Sequence, residues 1–229
     1  MAPIQVPFNV LVFSKTAGYR HDSIPAGIAS LQRLAEHSSQ FSVTASEDTS
    51  QFTPLNLSRY AVIVLLQTIG AIFNRAELDA LKHFVRAGGG IVAIHGAAAG
   101  MPQDEWYGKL IGAHFDMHPP HEAGTVLAEI ENQQHFIMNC CGGRENWMDE
   151  WYNFVTHPRE NKSLQVLLRG DTNSFEGGKH GSDHPLAWCQ DFEGGRVFFT
   201  ALGHFDEAYE DEWFNEQILR GIRWAARRE

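Results

Sequence analysis

The sequence predicts an α/β protein built on a single doubly wound, mostly parallel sheet. Three observations predict it. Short, mainly apolar runs at Phe8–Phe13, Tyr60–Leu66 and Ile91–Ile94 have the pattern of parallel strands buried on both faces. Amphipathic stretches at helical spacing lie between them, giving the order β-α-β-β-α-β. Each run breaks at a turn rich in Gly, Ser, Thr or His, and right-handed crossovers gather such turns on one edge of the sheet.

The elements follow in order. Phe8–Phe13 is the first strand. Asp22 or Ser23 caps a helix with Pro25 in its first turn and Ile24, Ile28, Leu31, Leu34 and Ala35 on its apolar face. Residues 41–45 alternate and read as an edge strand, and residues 47–56 as a polar connection. Tyr60–Leu66 is a central strand ending at Gln67-Thr68-Ile69-Gly70. Asn74 and Glu77 form a capping box for a helix that turns Leu78, Leu81, Phe84 and Val85 inward and stops at Gly88. Ile91–Ile94 is the strand around which the chain is organised. It ends at His95-Gly96-Ala97-Ala98, where small residues allow a tight turn and close approach of a ligand. To this point the pattern is flavodoxin-like.

Beyond residue 100 the pattern becomes irregular. Residues 105–114 read as a short helix, 115–120 as a rigid turn, 125–131 as a strand, and 132–160 as a long aromatic loop of the kind that carries function. Residues 164–168 form a strand. Residues 185–190 and 196–200 form a hairpin about Glu193-Gly194-Gly195, which makes the second half an irregular loop and hairpin insertion. Asp211 opens a last helix facing Phe214, Ile218, Ile222 and Ala225 inward. The reading is one domain over residues 1–229.

Composition bounds the function. Apolar content of 43% supports a substantial core, and a net charge of −10 argues against nucleic acid and anionic membrane as partners. Three cysteines, two of them adjacent at Cys140-Cys141, give no disulfide framework. With no secretory pattern at the start, they fit a reduced, cytoplasmic setting. No apolar run reaches the ~18 residues of a membrane span.

Twelve histidines are the informative feature. His21, His95 and His204 fall at or just after the ends of expected parallel strands and so share one rim. His118 and His184 are within reach of it. Imidazole acts as a base near neutral pH and is the commonest metal ligand. A histidine that follows a buried strand at an exposed position has no packing purpose. The rim therefore offers His95, His21 and His204 as catalytic groups, or His95, His118 and His204 as ligands of one divalent metal, zinc or manganese, with an open position. Asp149-Glu150-Trp151-Tyr152 sets two carboxylates beside two amphipathic rings, a mixture suited to acid–base work and to gripping a sugar. Glu150 joins the catalytic set. Tyr19, Asp149, Tyr152, His184 and Trp188 are the residues expected to hold the substrate.

These stretches together resemble the trehalose-utilisation (ThuA-like) family, of the class I glutamine amidotransferase-like fold. The resemblance rests on Gly18–Gly27, Phe84–Ala97, Trp106–Phe115 with His118-Pro119, Asp149–Phe154, Asp183–Trp188 and Gly195–His204, and spans nearly the whole chain. Amidotransferases carry Cys at the elbow after the central strand, with His and Glu after the last strand. Here His95 stands at the elbow, while His204 and Glu207 lie near the other two positions. Without a thiol no thioester forms, so glutamine hydrolysis by that route is excluded. The resemblance implies action on a small-molecule carbohydrate, a keto-sugar or 3-keto-glycoside derived from a disaccharide such as trehalose. The alternative is a carbohydrate-binding or regulatory module on a scaffold that has lost catalysis. Self-association into a homo-oligomer is left open.

Overall fold

The computed structural model describes residues 6–139 and 142–229; the Cys140-Cys141 pair lies outside them. In chain order the elements are β1 (Phe8–Phe13), α1 (Ile24–Ser38), β2 (Phe41–Ser46), α2 (Pro54–Leu57), β3 (Val62–Leu66), α3 (Arg75–Arg86), β4 (Gly90–Ile94), α4 (Glu105–Ile111), β5 (Phe115–Met117), β6 (Glu122–Ala128), β7 (Arg144–Asp149), β8 (Asn153–Phe154), β9 (Gln165–Gly170), β10 (His184–Phe192), β11 (Gly195–Thr200) and α5 (Glu212–Ala225), joined by short 3-10 turns and loops.

The apolar runs become the centre of the sheet because every residue of β3 and β4 is buried. The strand order is β2-β1-β3-β4-β11-β10-β9-β6-β7. The first five are parallel, in the flavodoxin-like order, and the alternating β2 lies at the edge. The last four are added by antiparallel pairing. The sheet is thus mixed, and the β10–β11 hairpin lies within it.

Three local expectations change. Residues 115–117 form a strand, not a turn: β5 pairs with β8 in a separate two-stranded sheet. The loop expected over 132–160 contains β7, whose pairing with β6 is interrupted by a bulge. β7 escapes pattern reading because only Trp147 and Asp149 of its six residues are buried. The strand expected at 125–131 runs over Glu122–Ala128, because its partners β9 and β7, rather than its own alternation, set its limits.

Helices cover both faces. Gly221 of α5 lies against Phe198 of β11, while the next residue, Phe199, packs against Trp188 on the opposite face. Trp188 Nε1 donates to Ile111 O, which fixes α4 on that second face. The Asn74–Glu77 capping box starts α3 as expected, and Gly88 (φ +96°) follows its last turn. Cys189 is buried in β10. Among the described residues no helix is long and apolar enough to cross a membrane.

Candidate functional site

The site grows from the turn after β4. His95 has φ +50°, a left-handed backbone that costs a non-glycine residue energy and that sharp strand-to-turn elbows use. Gly96 must be small: a Cβ there would come within 3.0 Å of Ile69 and 3.2 Å of His21. His95 Nδ1 bonds to Ala201 O at 2.6 Å. A carbonyl only accepts, so Nδ1 carries the proton and Nε2 presents a lone pair. Tyr152 donates its hydroxyl to that Nε2 at 2.9 Å.

The neighbouring strand ends complete the rim. The His21 ring lies 4.8 Å from that of His95 and 5.1 Å from that of His204. Gln67, after β3 and also left-handed at φ +52°, donates to Ser23 Oγ, Gly203 O and the Tyr209 hydroxyl. Ser23 Oγ in turn donates to His204 O. This lattice, which holds the His21 and His204 loops together, has no sequence signal: glutamine at a strand end is unremarkable until its partners are seen.

The segment after β7 crosses the rim and supplies the carboxylates. Asp149 accepts from Trp147 Nε1 and Gly203 N on one oxygen, and from Glu150 N and His204 N on the other. It is fully buried and its oxygens are engaged, so it positions Glu150 and His204 rather than a sugar. Glu150 stands between three imidazoles. Its Oε2 is 3.3 Å from His95 Nε2 and 3.2 Å from His204 Nδ1, and its Oε1 is 3.3 Å from His118 Nε2. The carboxylate beside His204 is therefore Glu150, while Glu207 is exposed on the rim of a nearby cleft.

Burial and charge set the protonation. Burial, with the neighbouring His95 and His204, lowers the His21 pKa to about 3. Burial would raise that of Glu150, but the neighbouring imidazoles, the hydrogen bond from His204 first, outweigh it and hold the carboxyl well below its usual range. His204 feels the converse: burial lowers its pKa, and the hydrogen bond and charge of Glu150 raise it above the usual value. Burial, reinforced by Glu150, keeps the Tyr152 phenol neutral far above its ordinary range.

Several expected roles change with these positions. His95 is 0% exposed, so it is not the exposed histidine the pattern suggested. His118 touches the other oxygen of Glu150 and bonds Pro119 O through Nδ1, which places it outside the group of His21, His95, Glu150 and His204 whose donor atoms all lie within 4.8 Å of one another. Trp188 and His184 are fully buried and cannot meet a substrate in this conformation. Trp188 packs on Phe199, and His184 lies against Phe175, with burial lowering its pKa to about 4. Tyr152 is buried against His95. Tyr19, 62% exposed, stacks edge-on with His21. It lines a cleft of about 240 Å³ with Asp22, Ser23, His204, Phe205, Asp206 and Glu207. A larger groove of about 820 Å³, beside α4 and the β10–β11 turn, contains none of the clustered histidines. The chemistry, not the volume, marks the site.

Solved structures share the fold. A ThuA-like protein from Bacteroides uniformis is 24% identical, with a TM-score of 0.80 over 96% of this chain and 92% of its own. One from Parabacteroides merdae is 19% identical, with a TM-score of 0.76 over 96% and 90%. A cytoplasmic protein of Salmonella typhimurium is 13% identical, with a TM-score of 0.65 over 94% and 98%. No curated protein matches the sequence. The family model described as trehalose utilisation matches residues 9–225, nearly the whole chain, and the protein belongs to this ThuA family.

Proposed function

We propose that the protein is an enzyme that cleaves a 3-keto-glycoside by proton abstraction, with the Glu150–histidine cluster as its acid–base centre. The observation that carries the reading is one carboxylate with imidazoles on both oxygens, beside a cleft that presents aromatic and acidic side chains. A carbonyl at C3 makes the C2 proton acidic. A base takes that proton, the negative charge moves onto the C3 oxygen, and re-formation of the carbonyl expels the C1 substituent, which leaves as an alcohol on receiving a proton. Water added to the resulting double bond gives the free keto-sugar. This route needs no oxocarbenium ion and no carboxylate pair spaced for one.

Exposure supports the following division of roles. His118, whose side chain is 35% exposed, is the base: Pro119 O holds the proton on Nδ1, and Nε2, now beside Glu150 Oε1, turns its lone pair to the C2 proton when the sugar binds. His204, at 15%, borders the cleft, and Glu150 favours its charged form, so it is the proton donor and electrophile. His95, buried, holds the cluster together. Tyr19 and Phe205 offer ring faces to the sugar.

The test is incubation with a 3-keto-disaccharide in D₂O, followed by NMR. Deuterium entry at C2 and release of the second sugar are expected. His118→Ala should lower the rate by about 10²–10⁴-fold, the usual worth of a positioned base. Tight binding of the keto-sugar with neither exchange nor release would overturn the proposal in favour of the binding module.

A further inference from the structure

We propose that His21, His95, Glu150 and His204 form a site for one tetrahedrally coordinated zinc ion, with Glu150 bound through Oε2. The acid–base reading above does not require this ion. Three donor atoms form a nearly equilateral triangle: His95 Nε2 to Glu150 Oε2 is 3.3 Å, His204 Nδ1 to Glu150 Oε2 is 3.2 Å, and His95 Nε2 to His204 Nδ1 is 3.3 Å. Zinc takes nitrogen and oxygen ligands at about 2.0–2.1 Å, which sets two ligands of a tetrahedral ion about 3.3–3.4 Å apart. The triangle has the dimensions of one face of that tetrahedron.

Hydrogen bonding explains the triangle less well. The Nδ1 bond of His95 to Ala201 O leaves a lone pair on Nε2, which accepts from the Tyr152 hydroxyl and also faces a carboxylate oxygen. Two lone pairs repel unless a cation stands between them. A proton would draw the atoms to about 2.7–2.9 Å, the length of a charge-assisted bond. All three edges are longer and nearly equal, which suits a larger ion at the centre.

His21 supplies the fourth position. Its donor atom lies within 4.8 Å of the other three, and its Nδ1 is buried with no hydrogen-bond partner. A supporting contact that metal sites use is present: a backbone carbonyl fixes the tautomer of His95. Three imidazoles and one carboxylate favour zinc over calcium or magnesium, which prefer all-oxygen shells. With the ion bound, Nε2 of His95 is committed to the metal, and the Tyr152 hydroxyl must find another acceptor. Four protein ligands leave the ion no open position, so it would hold the rim together, and His118 remains the base.

The test uses metal alone, with no sugar, so its result is independent of turnover. Chelator-stripped protein is loaded with Zn²⁺, dialysed and assayed by elemental analysis. About one zinc per chain is expected. Co²⁺ in its place should give the intense visible bands of a tetrahedral ion. His204→Ala and His21→Ala, checked for fold by circular dichroism, should bind zinc at least about 100-fold more weakly, the upper end of what losing a supporting hydrogen bond alone costs. His118→Ala should retain it. Folded parent protein without zinc, octahedral cobalt spectra, or undiminished zinc in both rim variants would each overturn the site. Zinc binding without cleavage of any keto-glycoside would sustain this site and count against the catalytic reading.

Discussion

At the residue scale, buried polar groups carry the sharpest consequences. Asp149 answers four N–H donors from three places in the chain. Asp149→Ala leaves them unsatisfied in the interior. It should cost about 3 kcal/mol or more in urea unfolding, with Glu150 and His204 displaced as a result. His184 is fully buried, with its pKa lowered to about 4 from an ordinary 6.5. The unfolded chain therefore binds a proton at this residue more readily than the folded one. Its contribution holds above about pH 6.5 and is lost as pH falls toward 4, by up to about 3 kcal/mol. Urea midpoints from pH 7.5 to 4.5 should fall less steeply in His184→Leu than in the parent. An identical acid limb in both would show that His184 does not titrate in this way. Burial also separates Cys189 from chemistry, pushing its thiol pKa up to about 12.

At the element scale, glycines fix how closely layers approach. Gly221 sits in the middle of α5, where alanine is intrinsically favoured by about 1 kcal/mol. A Cβ there would lie 2.2 Å from Phe198 Cδ1, itself fully buried. Overpacking of this kind costs about 1–3 kcal/mol. The clash should win, and Gly221→Ala should lower the melting temperature; a rise would mean that α5 can shift off the sheet. The capping box of α3 is a local counterpart. Asn74→Ala should cost about 1 kcal/mol in chemical unfolding with little effect at the rim, because the bonds it removes lie within the first turn of that helix.

At the scale of the whole molecule, the parallel strands β1, β3, β4 and β11 are internal to the sheet, while β2 and β7 are its edges. Amides of the internal strands should exchange slowest, those of β3 and β4 above all, and amides of β2 and β7 fastest, in native-state hydrogen exchange. The rim is assembled at the ends of the internal strands and closed by the segment that follows an edge strand. Uniform protection across all strands would show that the edges open only with the core.

The sequence by itself determined the parallel half of the sheet, because buried strands must be apolar throughout and their helices must carry a stripe. It also brought His21, His95 and His204 to one rim, since strand order and crossover handedness alone decide where strand ends meet. Tertiary structure decided the rest. β7 is polar on its outer face and bulged, so its pattern resembles a loop, and only its pairing with β6 reveals it. Glu150, rather than Glu207, became the partner of His204 because Asp149 ties the end of β7 to the Gly203–His204 backbone. Trp188 and His184 turned inward, although aromatic and imidazole side chains suit a sugar site equally well, because their strand is covered on that face. The exposure of a side chain is a property of what is packed over it, and no pattern within its own segment encodes that.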